Sequence, residues 1–153
     1  MKRRVFLKGA MTGAAIAASV PAGLLVPRRV IAQWPAEAFG KTNFEQALAA
    51  LLGDVPITSS EAIRLTAPDL AENGATVEVG VATELNAVDS ITIFSEKNPF
   101  PLIASFSLTP AVHSRLTTRI KMAGVSDVIA IIRADGRYYS ARKRVRVTAG
   151  GCN

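Results

Sequence analysis

Val128-Ile129-Ala130-Ile131-Ile132-Arg133-Ala134-Asp135-Gly136-Arg137-Tyr138-Tyr139-Ser140-Ala141-Arg142-Lys143-Arg144-Val145-Arg146-Val147 is the stretch that decides the fold. Val128 to Ile132 is a continuous apolar run. It suits a strand buried on both faces or lying centrally in a sheet. Asp135-Gly136 is a two-residue turn signal that joins antiparallel strands. Tyr138 to Val147 then reads as the return strand, unusually basic for a strand.

Working outward toward the N-terminus, more strands appear. Leu116, Thr118, Ile120 and Met122 alternate onto one face, and Leu102, Ala104, Phe106 and Leu108 are expected to do the same. Ser90 to Phe94 alternates through Ile91 and Ile93. Ala75 to Val81 places Val77, Val79 and Val81 on one face, just after an Asn73-Gly74 turn signal. Ahead of these, Phe44, Ala47, Leu48, Leu51 and Leu52 form one apolar stripe at helical spacing. Thr42 and Glu45 suggest a capping box at its start, and Gly53 sits where a C-terminal cap belongs. One amphipathic helix of about 10 residues is predicted there, with everything after Pro56 in strands. Short strands at regular spacing and no late helix predict an all-β chain with one N-terminal helix, an antiparallel Ig-like β-sandwich ending in a flexible C-terminal arm.

The 153 residues allow one domain, and 49% hydrophobic with 20% charged residues is globular composition. The net charge of +6 is concentrated at one end. Six of the 18 Lys and Arg lie in the first 29 residues, and the first acid is Glu37, so residues 33–153 hold 12 cations against 12 acids. A formally neutral body argues against nucleic acid, and the aromatic residues do not interleave with a basic patch. Lys2-Arg3-Arg4-Val5-Phe6-Leu7-Lys8 is a twin-arginine pattern. The uncharged stretch from Gly9 to Val26 contains Pro21 and three glycines, and Val30-Ile31-Ala32 supplies short side chains before a cut after Ala32. The expected organisation is a signal peptide over 1–32, an Ig-like β-sandwich domain over 33–147 and an arm over 148–153. Export of the folded protein to the periplasm follows, with no stable membrane insertion after cleavage.

No catalytic constellation stands out. His113 is the only histidine, Cys152 the only cysteine, and neither C-x-x-C, H-E-x-x-H nor G-x-S-x-G occurs. No metal, cofactor or catalytic residue is expected. What remains is Thr148-Ala149-Gly150-Gly151-Cys152-Asn153. A lone thiol in an exported protein suggests a reactive group or an intermolecular disulfide. Gly150 and Gly151 give its approach no side chains, and six residues from Thr148 extend about 20 Å at ~3.3–3.6 Å each. Upstream, Arg137, Arg142, Lys143, Arg144 and Arg146 lie within ten residues. Of these, Arg142, Arg144 and Arg146 are candidates for contact with an anion or an acidic partner. Three roles fit the thiol: a covalent carrier, a binding module that dimerises through Cys152, and a thiol redox protein, although no base or resolving cysteine accompanies it.

The chain resembles the SoxY family, sulfur carriers of the bacterial thiosulfate-oxidising Sox system. The residues carrying the resemblance are Ala67-Pro68-Asp69-Leu70-Ala71-Glu72-Asn73-Gly74, Asn98-Pro99-Phe100-Pro101, Thr118-Arg119-Ile120-Lys121-Met122-Ala123, Asp127-Val128-Ile129-Ala130, Asp135-Gly136 and Val147-Thr148-Ala149-Gly150-Gly151-Cys152. The resemblance implies a non-catalytic carrier whose attachment point matches Cys152 and whose glycine arm matches Gly150 and Gly151. It implies a SoxZ-like subunit as heterodimer partner. It also implies a c-type cytochrome that couples thiosulfate to the thiol, a sulfate-releasing hydrolase and, where present, a sulfur dehydrogenase. The family motif continues with two glycines where this chain has Asn153. The nearby terminal carboxylate is expected to make the thiolate slightly less favourable by like-charge repulsion.

Overall fold

The computed structural model describes residues 35–149. The expected signal peptide and its cut after Ala32 lie outside them. Two helices come first, α1 (Ala36–Phe39) and α2 (Phe44–Leu52). The strands follow in order: β1 (Ile57–Ser59), β2 (Ile63–Thr66), β3 (Leu70–Ala71), β4 (Val77–Thr83), β5 (Val88–Ser95), β6 (Leu102–Ser107), β7 (Arg115–Ile120), β8 (Ser126–Ala134) and β9 (Arg137–Val147).

The strands form two sheets. The larger runs β1-β9-β8-β5-β6, with β3 also on β9; the smaller runs β2-β4-β7. Strand β8 lies between β9 and β5, and its apolar run divides by parity. Val128, Ala130, Ile132 and Ala134 enter the core between the sheets, with Val77, Val79, Val81, Ile91 and Ile93. Ile129 and Ile131 point the other way, into a second cluster under the helices. The expected turn forms at Asp135 and Gly136, with φ of 50° and 71°, the left-handed pair that a two-residue hairpin needs.

Helix α2 covers the outer face of the larger sheet. The stripe Phe44, Ala47, Leu48, Leu51 and Leu52 packs on Phe94, Leu102, Ile129 and Ile131, and the Phe44 and Phe94 rings meet edge to face at 5.3 Å. The helix starts one residue later than a capping box on Thr42 requires. Asn43 is the N-cap, its side chain accepting from the Gln46 amide at 3.2 Å. Asparagine caps at least as well as threonine, so the geometry selects the nearer cap. Gly53 closes the helix at φ 75°. The four-residue α1 was not expected from the sequence; one turn is too short for a periodic signal, but its Ala38 is fully buried in the helix-side cluster.

One further correction concerns the strands. The expected alternation of Leu102 with Ala104, Phe106 and Leu108 breaks at a bulge: Ile93 pairs with Ala104 but Phe94 pairs with Leu102, so Ile103 is an extra residue. Leu102 therefore turns to the helix side, while Phe106 and Leu108 pack against the inter-sheet core. The sheets are dominated by antiparallel pairs, as expected, and the short β1 and β3 add to the larger one by running parallel to β9. The expected turn at Asn73-Gly74 forms, and it carries the chain from β3 on the larger sheet to β4 in the smaller. Away from the core, the smaller sheet turns Arg64, Thr66, Glu78 and Thr117 to solvent.

Phe94 serves the layer that holds α2 on the sheet. Phe94→Ala is expected to lower unfolding free energy by about 3–5 kcal/mol, the range for a buried phenylalanine. Urea denaturation of the mature chain measures it.

Candidate functional site

Strand β9 delivers the chain to the C-terminal segment, and the Ala67–Gly74 stretch fixes where it leaves. The Arg146 amide donates to the Asp69 carbonyl at 3.0 Å, and the Thr148 amide donates to the Ala71 carbonyl at 3.1 Å. The Thr148 hydroxyl donates to the carbonyls of Glu72 at 2.7 Å and Ala71 at 3.4 Å. The Gly74 amide donates to the Ala149 carbonyl at 2.7 Å, and the Gly74 carbonyl accepts from the Met122 amide at the same distance. Thr148 and Ala149, placed in the arm by sequence, are thus held to the body as a short extension of the β3–β9 ladder. Gly150, Gly151, Cys152 and Asn153 lie outside the described residues.

A buried polar cluster stiffens the same end of the sandwich. Asn98 donates from Nδ2 to the Lys121 carbonyl at 2.7 Å, and its Oδ1 accepts from the Ala123 amide at 2.9 Å and from the Ser95 hydroxyl at 3.2 Å. The Lys97 amide donates to Ser126 Oγ at 2.9 Å. Ser95, Asn98 and Ser126 are buried. Their bonds join the β5–β6 loop to the loop before β8, and the Met122–Gly74–Ala149 relay joins that loop to the root of the C-terminal segment.

The basic strand is largely neutralised from within the fold. The β8–β9 register sets Asp127 opposite Arg144 and Ile129 opposite Arg142. Both guanidinium groups reach Asp127, at 3.1 Å each, and Arg142 also lies 3.7 Å from Glu96. Lys143, on the opposite face of β9, pairs with Asp69 at 3.1 Å. Of the three candidate anion contacts, Arg142 and Arg144 therefore share one carboxylate, while the exposed Arg146 side chain has no ion pair among the described residues. Exposed pairs of this kind contribute about 0–1 kcal/mol each, so their effect is chiefly on local charge. His113 lies between β6 and β7 at the far end of the sandwich. Among the described residues no group of His, Cys, Asp and Glu gathers to hold a metal ion.

Thr148 and Asn98 belong to the motifs that carry the family resemblance, but no local sequence signal assigns them these bonds. A short polar strand addition has no alternation to read.

Fold and geometry together define a class: a β-sandwich that presents its C-terminal segment from a clamped root at one pole. A family model described as "Sulfur oxidation protein SoxY" matches residues 48–152. The chain belongs to the SoxY family. The solved structure of the sulfur carrier protein SoxY from Chlorobium limicola f thiosulfatophilum is similar at 38% identity and TM-score 0.62, over 68% of this chain and 94% of that one. A superoxide reductase (neelaredoxin) from Ignicoccus hospitalis matches at 18% identity and TM-score 0.51, over 57% of this chain and 80% of that one, and shows shared fold alone. A search of the curated proteins finds no match.

Thr148→Val keeps the backbone clamp and removes the hydroxyl bonds. It is expected to cost about 1 kcal/mol or less globally, while amide exchange at Gly74 and Thr148 accelerates several-fold. Hydrogen-exchange measurements on the mature chain check this.

Proposed function

We propose that the chain is a covalent carrier of thiosulfate-derived sulfur on Cys152. The observation that carries this reading is a conjunction: the family match runs to residue 152, and the chain's one thiol stands there, just past a hydrogen-bonded root. From Ala149 to Cys152 the backbone spans about 10 Å at most, at ~3.3–3.6 Å per residue. The thiol is thus held close to the body and enters a partner's pocket only when that partner comes to it.

The chemistry on this thiol is supplied by others. The Cys152 thiolate and thiosulfate form an S–S bond, giving protein-S-S-SO3⁻, and two electrons pass to a c-type cytochrome. Water then cleaves the sulfur–sulfonate bond in the site of a hydrolase, releasing sulfate and two protons and leaving a persulfide on Cys152. A sulfur dehydrogenase is the further partner that would oxidise this remaining sulfane. The chain itself contributes the nucleophilic sulfur and its presentation, and no acid–base group. A SoxZ-like subunit completes a heterodimer, exported together with this chain through the twin-arginine signal to the periplasm.

Intact-mass measurement on exported protein from thiosulfate-grown cells tests the reading. Thiosulfonate and persulfide adducts are expected on the wild type and absent in Cys152→Ser. Free thiol and disulfide homodimer alone in the wild type would remove the carrier role and favour a dimerising module.

A further inference from the structure

Four large hydrophobic side chains are exposed among the described residues: Leu70, Phe100, Val112 and Val125. Three of them gather at one pole. Strand register puts Leu70 beside Arg146 on β9. Val125 immediately precedes Ser126, which pairs with Val145. Phe100 sits on the loop that Asn98 bonds to Lys121 and Ala123, and Met122 between them is bonded through Gly74 to Ala149. This is the pole from which the C-terminal segment leaves. Val112 alone lies at the opposite end, in the β6–β7 loop.

Phe100 is 55% exposed although it borders a cleft of about 530 Å³ lined by Leu102, Ile103, Arg119 and Ile120. Its loop is not slack: the buried Asn98 bonds fix it, and Pro99 and Pro101 flank it. A rigid loop that holds an aromatic ring in solvent presents it as a preformed anchor. Cations without ion-pair partners among the described residues surround these apolar groups: Arg146, Arg119 and Lys121. Asp127, Glu96 and Asp69 are occupied with Arg142, Arg144 and Lys143, which leaves Glu72, and Glu78 opposite Arg119 on β4, as acids nearby without an ion pair among the described residues.

We propose that this pole, centred on Phe100 with Leu70 and Val125, is the docking face for the sulfate-releasing hydrolase that acts on Cys152, and that the enzyme's mouth carries an apolar collar with an acidic rim. The inference rests on the carrier reading and deepens it. Its physical basis is the short chain beyond Ala149. A thiol tethered within about 10 Å of its root cannot reach the floor of a pocket unless the pocket's mouth presses on the surface around that root. Whatever that surface carries is then desolvated in every productive encounter. Apolar anchors there lower KM, and the surrounding cations speed association with an acidic mouth.

The test compares sulfate release by the hydrolase purified from the same cells, acting on the thiosulfate-loaded carrier as isolated with its companion subunit. Phe100→Asp and Val125→Asp are expected to lower kcat/KM about tenfold or more, the size of losing one buried anchor, with kcat at saturation little changed. Val112→Asp at the far pole is the control and is expected to match the wild type. The rate of Cys152 alkylation by iodoacetamide is expected to be equal in all four, showing an intact arm. A loaded synthetic peptide of residues 148–153 is expected to be processed with a lower kcat/KM than the whole carrier. Equal rates for Phe100→Asp, Val125→Asp and Val112→Asp, with peptide and carrier equivalent, would overturn the docking face and leave the carrier reading standing. Separation of the companion subunit by Phe100→Asp would instead assign the pole to the subunit interface and also overturn it. No sulfate from the loaded wild type would sink both.

Discussion

Burial of β8 on both faces is the constraint on which the other elements depend. A strand whose even residues enter one core and whose odd residues enter another has no freedom of register. A slip by one residue would exchange the two sets, putting the smaller cluster's Ile129 and Ile131 where Val128, Ala130 and Ile132 now pack. Because β8 is fixed, the tight turn at Asp135 and Gly136 makes β9 its reflection, residue against residue. The point at which β9 runs out, and so the point at which the C-terminal segment begins, is set by the packing of the strand it pairs with, Val145 lying opposite Ser126 at the start of β8.

The second constraint is the outer edge of β9. An exposed strand edge offers unpaired backbone groups to any other chain, and natural sheets cover or blunt it. Here two short parallel strands do the covering, β1 over the first part of β9 and β3 over its last residues. The β3 addition continues as the Thr148 and Ala149 bonds. Edge protection and arm anchoring are therefore one structure. This accounts for the Ala67–Gly74 segment, which has neither helical nor strand periodicity and yet meets the C-terminus.

Much of this was legible in the sequence, for physical reasons. The continuous apolar run of Val128 to Ile132, the Asp-Gly turn and the alternation of Val77, Val79 and Val81 each answer to a single local rule. The Phe44–Leu52 stripe marked its helix face, and the structure supplied what it covers. The bulge at Ile103 was not legible, because an extra residue leaves the composition of a strand unchanged. Nor was the choice of Asn43 over Thr42 as cap, which turns on one backbone angle. The counter-charge of the basic strand is also readable in the sequence. Once the turn at Asp135 and Gly136 is granted, reflection places Asp127 opposite Arg144, and the basic strand already contains its counter-charge. Charge counted along the chain suggested an anion-attracting surface; charge counted across the sheet gives a mostly balanced one. For the thiol-bearing segment itself, legibility rested on residue types and family resemblance.

A clamped root changes what a short glycine arm is good for. A tether of n residues confines its end to a volume that grows with n, so each residue tied down at the root concentrates the thiol near one surface. Holding Thr148 and Ala149 shortens the tether of Cys152 from five residues beyond Val147 to three beyond Ala149, from about 17 Å to about 10 Å at ~3.3–3.6 Å per residue. The loss in range is a gain in direction: on the proposed carrier reading, a thiol so tethered is offered at one pole of the sandwich. A long tether would let successive enzymes take the thiol with little regard for the carrier's surface. In the proposed carrier, a short one makes that surface part of every transfer, so the residues around Ala149 would bear on the chemistry of the thiol.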